Sequence, residues 1–318
     1  MKAAVLHALG EPPFYEEFPE PVAGEGEAIV HVLAASLKPV DRLVAAGTHY
    51  ASPRELPVVC GIDGVGQLDD GTRVFFGGPR RPYGAMAERT VVARARCWPV
   101  RAGLDDATAA ALPNPALSSW LPLVWTAKLA PGETVLILGA TGIAGRLAAQ
   151  IAKLLGAGRV VAAGRNPAVL RTLPELGADA VIHLTGEDAD ITQAFTQEAG
   201  DKGYDVIVDY VWGRPTELLL ATLTRGEFSM RPAGPRLIPV GESAGPAISL
   251  PAAVLRSAAL SILGGGFPPF HKLMEAFQQA LDYAASGKLR IETERVRLAD
   301  IERMWQRPQQ TARLVVIP

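Results

Sequence analysis

At 318 residues the chain is long enough for two domains, and its 48% hydrophobic and 20% charged residues are those of an ordinary globular protein. A net charge of −2 argues against nucleic acid or an anionic membrane as partner. Two cysteines, Cys60 and Cys97, make neither a disulfide framework nor a C-x-x-C metal pair, so a reducing, cytoplasmic setting is expected.

The opening Met1–His7 run is too short for a signal peptide, with Glu11 soon after. Residues 1 to about 113 read as β-rich. Ala3–Leu6, Glu27–Ala35 and Ala87–Ala93 are strand-like, and Asp69-Asp70-Gly71-Thr72 is a hairpin signal leading into Arg73–Phe76. Short strands with turn punctuation point to a small barrel or curled sheet. From Ala107 to Lys128 the composition turns helical, although Pro113, Pro115 and Pro122 must break or kink the helix.

Pro131-Gly132-Glu133 then turns into Thr134–Leu138, five apolar or β-branched residues without alternation, as in a strand covered on both faces of a parallel sheet. Gly139, Gly142 and Gly145 follow at intervals of three, with Ala140, Thr141, Ile143 and Ala144 between them. Leu147, Ile151, Leu154 and Leu155 continue at helical spacing, and Arg146 and Lys153 rule out a membrane span here. In such a strand–turn–helix the glycines allow a tight bend, close approach of a pyrophosphate and close helix–strand packing, and the helix-start N–H groups face the phosphate. The spacing departs from the commoner G-x-G-x-x-G. The second strand, Arg159–Ala163, ends at Gly164-Arg165-Asn166. An NAD site would carry an acid there; instead Gly164 leaves room and Arg165 offers a planar donor fork suited to a 2′-phosphate, which reads as NADPH.

Pro167–Leu176 is expected as a helix closed by Gly177, Ala180–His183 as a strand, Asp190–Ala199 as a helix and Tyr204–Asp209 as a strand. Pro215–Leu223 is expected as a helix, with strands at Arg236–Gly241 and Ala259–Gly264. Strands alternating with helices mean a doubly wound, Rossmann-type parallel sheet. Its ligand lies beyond the strand carboxyl ends. That nominates residues 139–145, Gly164, Arg165, Asn166, Asp209, Tyr210, Val240, Gly241, Glu242, Gly264 and Gly265. The remainder holds a helix, Lys272–Ser286, and a final strand, Arg313–Ile317, expected to return to the first domain.

In order, Lys38-Pro39-Val40-Asp41, Gly61–Gly66, Asp70–Val74, Gly84–Glu88 and Leu138–Gly145 make the whole chain resemble the medium-chain dehydrogenase/reductases, specifically their zinc-free quinone oxidoreductase-like branch. The resemblance implies a GroES-like β-rich substrate domain built from both chain ends (1–118 and 267–318) around a Rossmann NADPH-binding domain (119–266). It also implies a cofactor site in the interdomain cleft and a homodimer, for which Leu260–Leu263 offers an edge. Zinc-dependent relatives place a Cys where Lys38 stands and a His where Ile62 stands, and neither position here holds zinc. Relatives of the zinc-free branch have Asn at Lys38. Lys38 is therefore either a donor to cofactor, substrate or a developing enolate, or a structural lysine paired with Asp41 or Asp63. His49 and Tyr50 occupy the neighbourhood of the family's tyrosine and are candidate proton donors. Ser118 and Ser119 stand where relatives have a Thr that touches the nicotinamide.

The resulting expectation is hydride transfer from NADPH to a quinone or to the β-carbon of an enone, with Lys38, His49 and Tyr50 as catalytic candidates. Two alternatives stay open. One is a zinc-independent carbonyl or enoyl-thioester reductase, with Arg80-Arg81 as a basic mouth. The other is a catalytically weak NADPH-binding regulatory protein.

Overall fold

The structure, a computed structural model, describes residues 1–223, 234–266, 268–308 and 311–318. They form two compact units, Met1–Pro113 with Leu281–Pro318, and Asn114–Ala280. The sequence reading had set the joints at 118/119 and 266/267; residue 267 of the second lies outside the described residues.

In the first unit the strands are β1 (Lys2–Leu6), β2 (Phe14–Glu17), β3 (Glu27–Ser36), β4 (Val58–Val59), β5 (Asp63–Leu68), β6 (Arg73–Gly77), β7 (Arg89–Ala93) and β8 (Cys97–Pro99). β3 is its axis. Ala28, Val30 and Val32 are buried while His31 is exposed, the alternation of a strand with one face in the core. A register shift between Val32 and Ala34 then turns Ala34, Ala35 and Ser36 all inward. β3 pairs with β5 along one edge. Its other edge takes β7 first, and then a strand from the far end of the chain. The hairpin signal is real: Asp69–Thr72 joins β5 to β6, with Gly71 at φ +83° and Asp70 Oδ1 accepting the Thr72 N–H at 2.8 Å. β7 starts two residues later than expected. Ala87 instead bridges to Ala3 of β1, and Glu88 C=O accepts the Val32 N–H, so the chain changes sheets at this point.

Between β3 and β4 lies α1 (Pro39–Ala45). The proline-rich helical stretch breaks into α2 (Asp106–Ala111), α3 (Pro113–Leu121) and a π-helical turn at Pro122–Thr126, because each proline lacks the N–H that continues a helix.

The second unit contains β9 (Thr134–Leu138), β10 (Arg159–Gly164), β11 (Ala180–His183), β12 (Val206–Asp209), β13 (Arg236–Pro239) and β14 (Ser261–Ile262). Among the described residues they form one parallel sheet in the order β11-β10-β9-β12-β13-β14. β9 is buried throughout, as its unbroken apolar run required. The accompanying helices are α4 (Ile143–Leu154), α5 (Pro167–Leu170), α6 (Asp188–Ala199), α7 (Gly213–Leu223), α8 (Ala252–Ala258) and α9 (Phe270–Ala285). The helix expected over Pro167–Leu176 is α5 plus a separate 3₁₀ turn, Leu173–Leu176, broken before Pro174; Gly177 closes it at φ +96°. The last expected strand of this sheet shrinks to two residues, since Ala259 ends α8 in the left-handed region at φ +50°.

The chain finishes in the first unit with β15 (Thr293–Arg297), α10 (Ile301–Gln306) and β16 (Arg313–Ile317). β16 pairs parallel with β15 and antiparallel with β3, aligning Val315 with Ser36 and Val316 with Ala35. Leu314, Val316, Ile301 and Trp305 thereby join the core formed by Leu6, Val30, Phe76 and Met86.

Candidate functional site

The switch in strand order falls between β9 and β12, where a parallel sheet opens a crevice at its carboxyl ends. At that edge Gly139 takes φ +85°, and a Cβ on it would lie 2.9 Å from Val211 Cγ1. Its N–H and that of Ala140 both donate to Ala163 O, at 2.9 and 2.8 Å, which pins the turn against β10. Gly142 caps α4, and the helix's first internal bond runs from Arg146 N–H to Gly142 O. The N–H groups of Ile143, Ala144 and Gly145 are therefore the orphan donors of a twelve-residue helix, aimed where an anion sits well. Gly145 is glycine for packing: a Cβ there would lie 2.6 Å from Ala140 Cα.

Gly164 closes β10 against the same turn, where a Cβ would meet Thr141 Oγ1 at 2.9 Å. Arg165 is exposed, and its guanidinium makes no hydrogen bond or ion pair among the described residues. Asn166 does local work: its Oδ1 accepts the Ala168 and Val169 N–H groups and caps α5. Asp209 is likewise occupied by its own chain. Its Oδ1 accepts the N–H groups of Val211 and Trp212 at 2.8 and 2.9 Å, and its Oδ2 accepts the Thr216 hydroxyl at 2.5 Å. Burial pushes that carboxyl's pKa up. Its backbone carbonyl takes the N–H groups of Val240 and Gly241, joining the ends of β12 and β13. Glu242, Gly264 and Gly265 are all exposed.

Tyr210 donates its hydroxyl to Ser119 Oγ at 2.9 Å. Ser119, fully buried, has one proton to give and two carbonyls at 2.8 Å to receive it, Pro115 O and Ala144 O. Ser119 thus ties α3 to the first turn of α4. Ser118 turns its hydroxyl back to Pro115 O, at 3.0 Å. The two serines are indistinguishable in sequence, and only the helix phase separates them.

In the first unit Lys38 is 1% exposed. Its Nζ donates to Ser36 O at 2.9 Å and Asp63 Oδ1 at 2.9 Å, and lies 3.2 Å from both Ser36 Oγ and Asp41 Oδ2. Burial opposes the ammonium, but the Asp41 and Asp63 carboxylates outweigh it and hold the pKa above the lysine value. Of the two roles left open for Lys38, this is the geometry of the paired one, with both aspartates engaged. His49 and Tyr50 stand apart from it on the loop after α1. Their ring centroids lie 4.0 Å apart with the planes tilted by 34°, Tyr50 is 93% exposed, and His49 Nδ1 accepts the Ala51 N–H at 3.1 Å. Arg80 is committed to Glu27 at 3.0 Å and to Val22 O. The expected basic mouth is therefore reduced to Arg81. Among the described residues no three His, Cys, Asp or Glu side chains gather to hold a metal ion.

The family model for zinc-binding dehydrogenases matches residues 144–265, a stretch with no cysteine and one histidine, His183. A quinone oxidoreductase-like protein 2 homolog of Nematostella vectensis is 27% identical over 305 residues, 91% of this chain and 80% of that protein. A quinone oxidoreductase of Thermus thermophilus, solved alone and with NADPH, superposes at a TM-score of 0.81 with 29% identity over the full length of both chains. In sequence and in fold the chain is thus similar to quinone oxidoreductase-like proteins of the medium-chain dehydrogenase/reductase type. A further relative, a chloroplastic NADPH-dependent alkenal/one oxidoreductase of Arabidopsis thaliana, is 30% identical over 60% of this chain and 51% of its own. The Rossmann-type parallel sheet and the β-rich unit made from both chain ends match the architecture of that solved quinone oxidoreductase. No helix among the described residues is long and apolar enough to cross a membrane.

Proposed function

We propose that this oxidoreductase uses NADPH to reduce a quinone or the carbon–carbon double bond of an α,β-unsaturated carbonyl, without a zinc ion. The observation that carries the reading is Arg165, a guanidinium without a partner among the described residues beside the glycine that ends β10, at the sheet edge where the helix-start N–H groups of Ile143, Ala144 and Gly145 are also unspent. A planar fork with no carboxylate partner among the described residues matches a 2′-phosphate, and the helix start matches the pyrophosphate. Room for the nucleotide comes from Gly139, Gly142 and Gly164. When bound, NADPH supplies the hydride.

The chain's own part is positioning and proton handling. Asp209 and Ser119 fix the strand and helix ends around the nucleotide edge through their internal bonds. Lys38 is assigned a positioning role, holding the loop of Asp63 and the start of α1 together as a buried cation. His49 and Tyr50, reachable from solvent, are the candidates to hand a proton to the reduced product. With Lys38 and Ile62 at the positions a zinc site would need, the donor set offers the metal nothing. The open edge of β14, with Ser261 and Ile262 exposed, is the proposed contact of a homodimer.

The test is NADPH oxidation, followed by its nicotinamide absorbance, against quinones, enones and enoyl-thioesters, before and after exhaustive chelation. Turnover of a quinone or enone, unchanged by metal removal, is expected. Loss of activity on chelation, restored by zinc, would overturn the zinc-free reading; turnover of the thioesters alone would overturn the acceptor class.

A further inference from the structure

The first unit carries a cavity of about 240 Å³ that is partly open to solvent. Its walls are mostly apolar, with Val44, Val59 and Ile62 among them, and four polar side chains reach it: Asp41, Cys60, Arg81 and Tyr83. Two of the four, Asp41 and Tyr83, are engaged, and the third, Cys60, is uncharged. Asp41 Oδ2 accepts the Lys38 backbone N–H at 2.8 Å and lies 3.2 Å from its ammonium, while Oδ1 accepts the Ile62 N–H at 3.2 Å. Tyr83 gives its hydroxyl to Glu20 O. Cys60 is buried, and desolvation pushes its thiol to about 12, so it stays neutral.

Arg81 is different. It donates one N–H to Ala51 O at 3.1 Å and has no carboxylate partner among the described residues. Ala51, itself part of the wall, is thus gripped twice, by Arg81 at its carbonyl and by His49 Nδ1 at its N–H. Arg81 therefore arrives at the cavity held in place, with the rest of its donor fork uncommitted.

We propose that this cavity binds the acceptor molecule, and that Arg81 selects small apolar acceptors that carry a carboxylate. The inference rests on the oxidoreductase reading above for the word acceptor. The binding site itself follows from a mostly apolar pocket whose uncommitted charged group, among the described residues, is a planar cation. The Asp41 charge is met by the Lys38 ammonium and two backbone N–H groups, and Arg313 adds positive charge beside Lys38 and Asp63, which limits the repulsion on a carboxylate at Arg81. An amide or alcohol of the same shape would lose the charge-assisted pair and bind about tenfold more weakly.

The experiment is direct binding to the full chain by fluorine NMR, using 4-fluorobenzoate and 4-fluorobenzamide, neither of which NADPH reduces. It is run on wild type, Arg81→Gln, Arg81→Lys and Ala51→Phe. The expected result is a preference for the carboxylate of about tenfold in wild type, abolished in Arg81→Gln and largely kept in Arg81→Lys. Ala51→Phe, which fills the wall from an exposed loop, should weaken both probes. Absence of binding by either probe, an unchanged preference in Arg81→Gln, or indifference to Ala51→Phe would each overturn the proposal. None of these outcomes depends on turnover, so the oxidoreductase reading stands or falls separately.

Discussion

Lys38 is a lysine that folding must strip of all its water, and it tolerates this because Asp41, Asp63 and Ser36 replace that water completely. Removing one partner of such a buried set costs roughly 3–5 kcal/mol, since the remaining charges are left uncompensated. Lys38→Met should therefore unfold at markedly lower denaturant, and Lys38→Met/Asp63→Asn should recover part of the loss. The pH dependence follows in sign. Burial already raises the Asp63 pKa, and without Lys38 it rises further, so the folded variant binds a proton that the unfolded chain releases. The deficit relative to wild type should narrow as pH falls through the carboxylate range and widen as it rises; denaturation curves at several pH values check this. A second residue-scale prediction concerns Gly145. With Ala140 Cα only 2.6 Å from any Cβ there, Gly145→Ala should cost about 1–3 kcal/mol of stability and weaken nucleotide binding with it. The glycine spacing made this turn legible in sequence. The double engagement of Lys38 was legible only as an alternative, because Asp63 lies 25 residues away and only the β5 register brings it alongside.

Among the elements, what the sequence carried best were the strands whose patterns are local. β9, β11 and β16 fall where unbroken or β-branched runs put them, and the β5–β6 hairpin follows its Asp-Gly turn. It was less informative wherever a contact from elsewhere ends an element. β7 loses Ala87 to β1, and β14 is cut short by the left-handed Ala259. Asp209 and Asn166 looked like ligand positions because they follow strands, yet helix capping and turn closure consume their acceptors. One long-range tie is accessible to experiment. Glu20 binds both nitrogens of the Arg89 fork on β7 and lies 3.2 Å from the amino terminus, and the Arg89 bonds lower its pKa to about 2. A depressed carboxylate stabilises above its ordinary range and loses that contribution as pH falls through the folded value. Glu20→Gln should thus be less stable than wild type above about pH 4.5, with the difference vanishing toward pH 2, in thermal scans across that range.

For the molecule as a whole, the chain crosses into the second unit and returns, so that β16 finishes the sheet begun by β3. The second unit holds the proposed nucleotide residues, most of them just beyond the strand ends of its sheet, and the first holds Lys38, His49, Tyr50 and the Arg81 cavity. That division was readable from the alternation of strands and helices after residue 130, whereas the cavity was not, since its wall is assembled from segments scattered between Leu6 and Tyr83. A nucleotide edge built for NADPH is tested by fluorescence titration with NADPH and NADH on wild type and Arg165→Ala. A clear preference for NADPH is expected, with the mutant losing about 1.5–3 kcal/mol of NADPH affinity and leaving NADH unchanged. Equal binding of the two cofactors by wild type, or a mutant that keeps the preference, would contradict it.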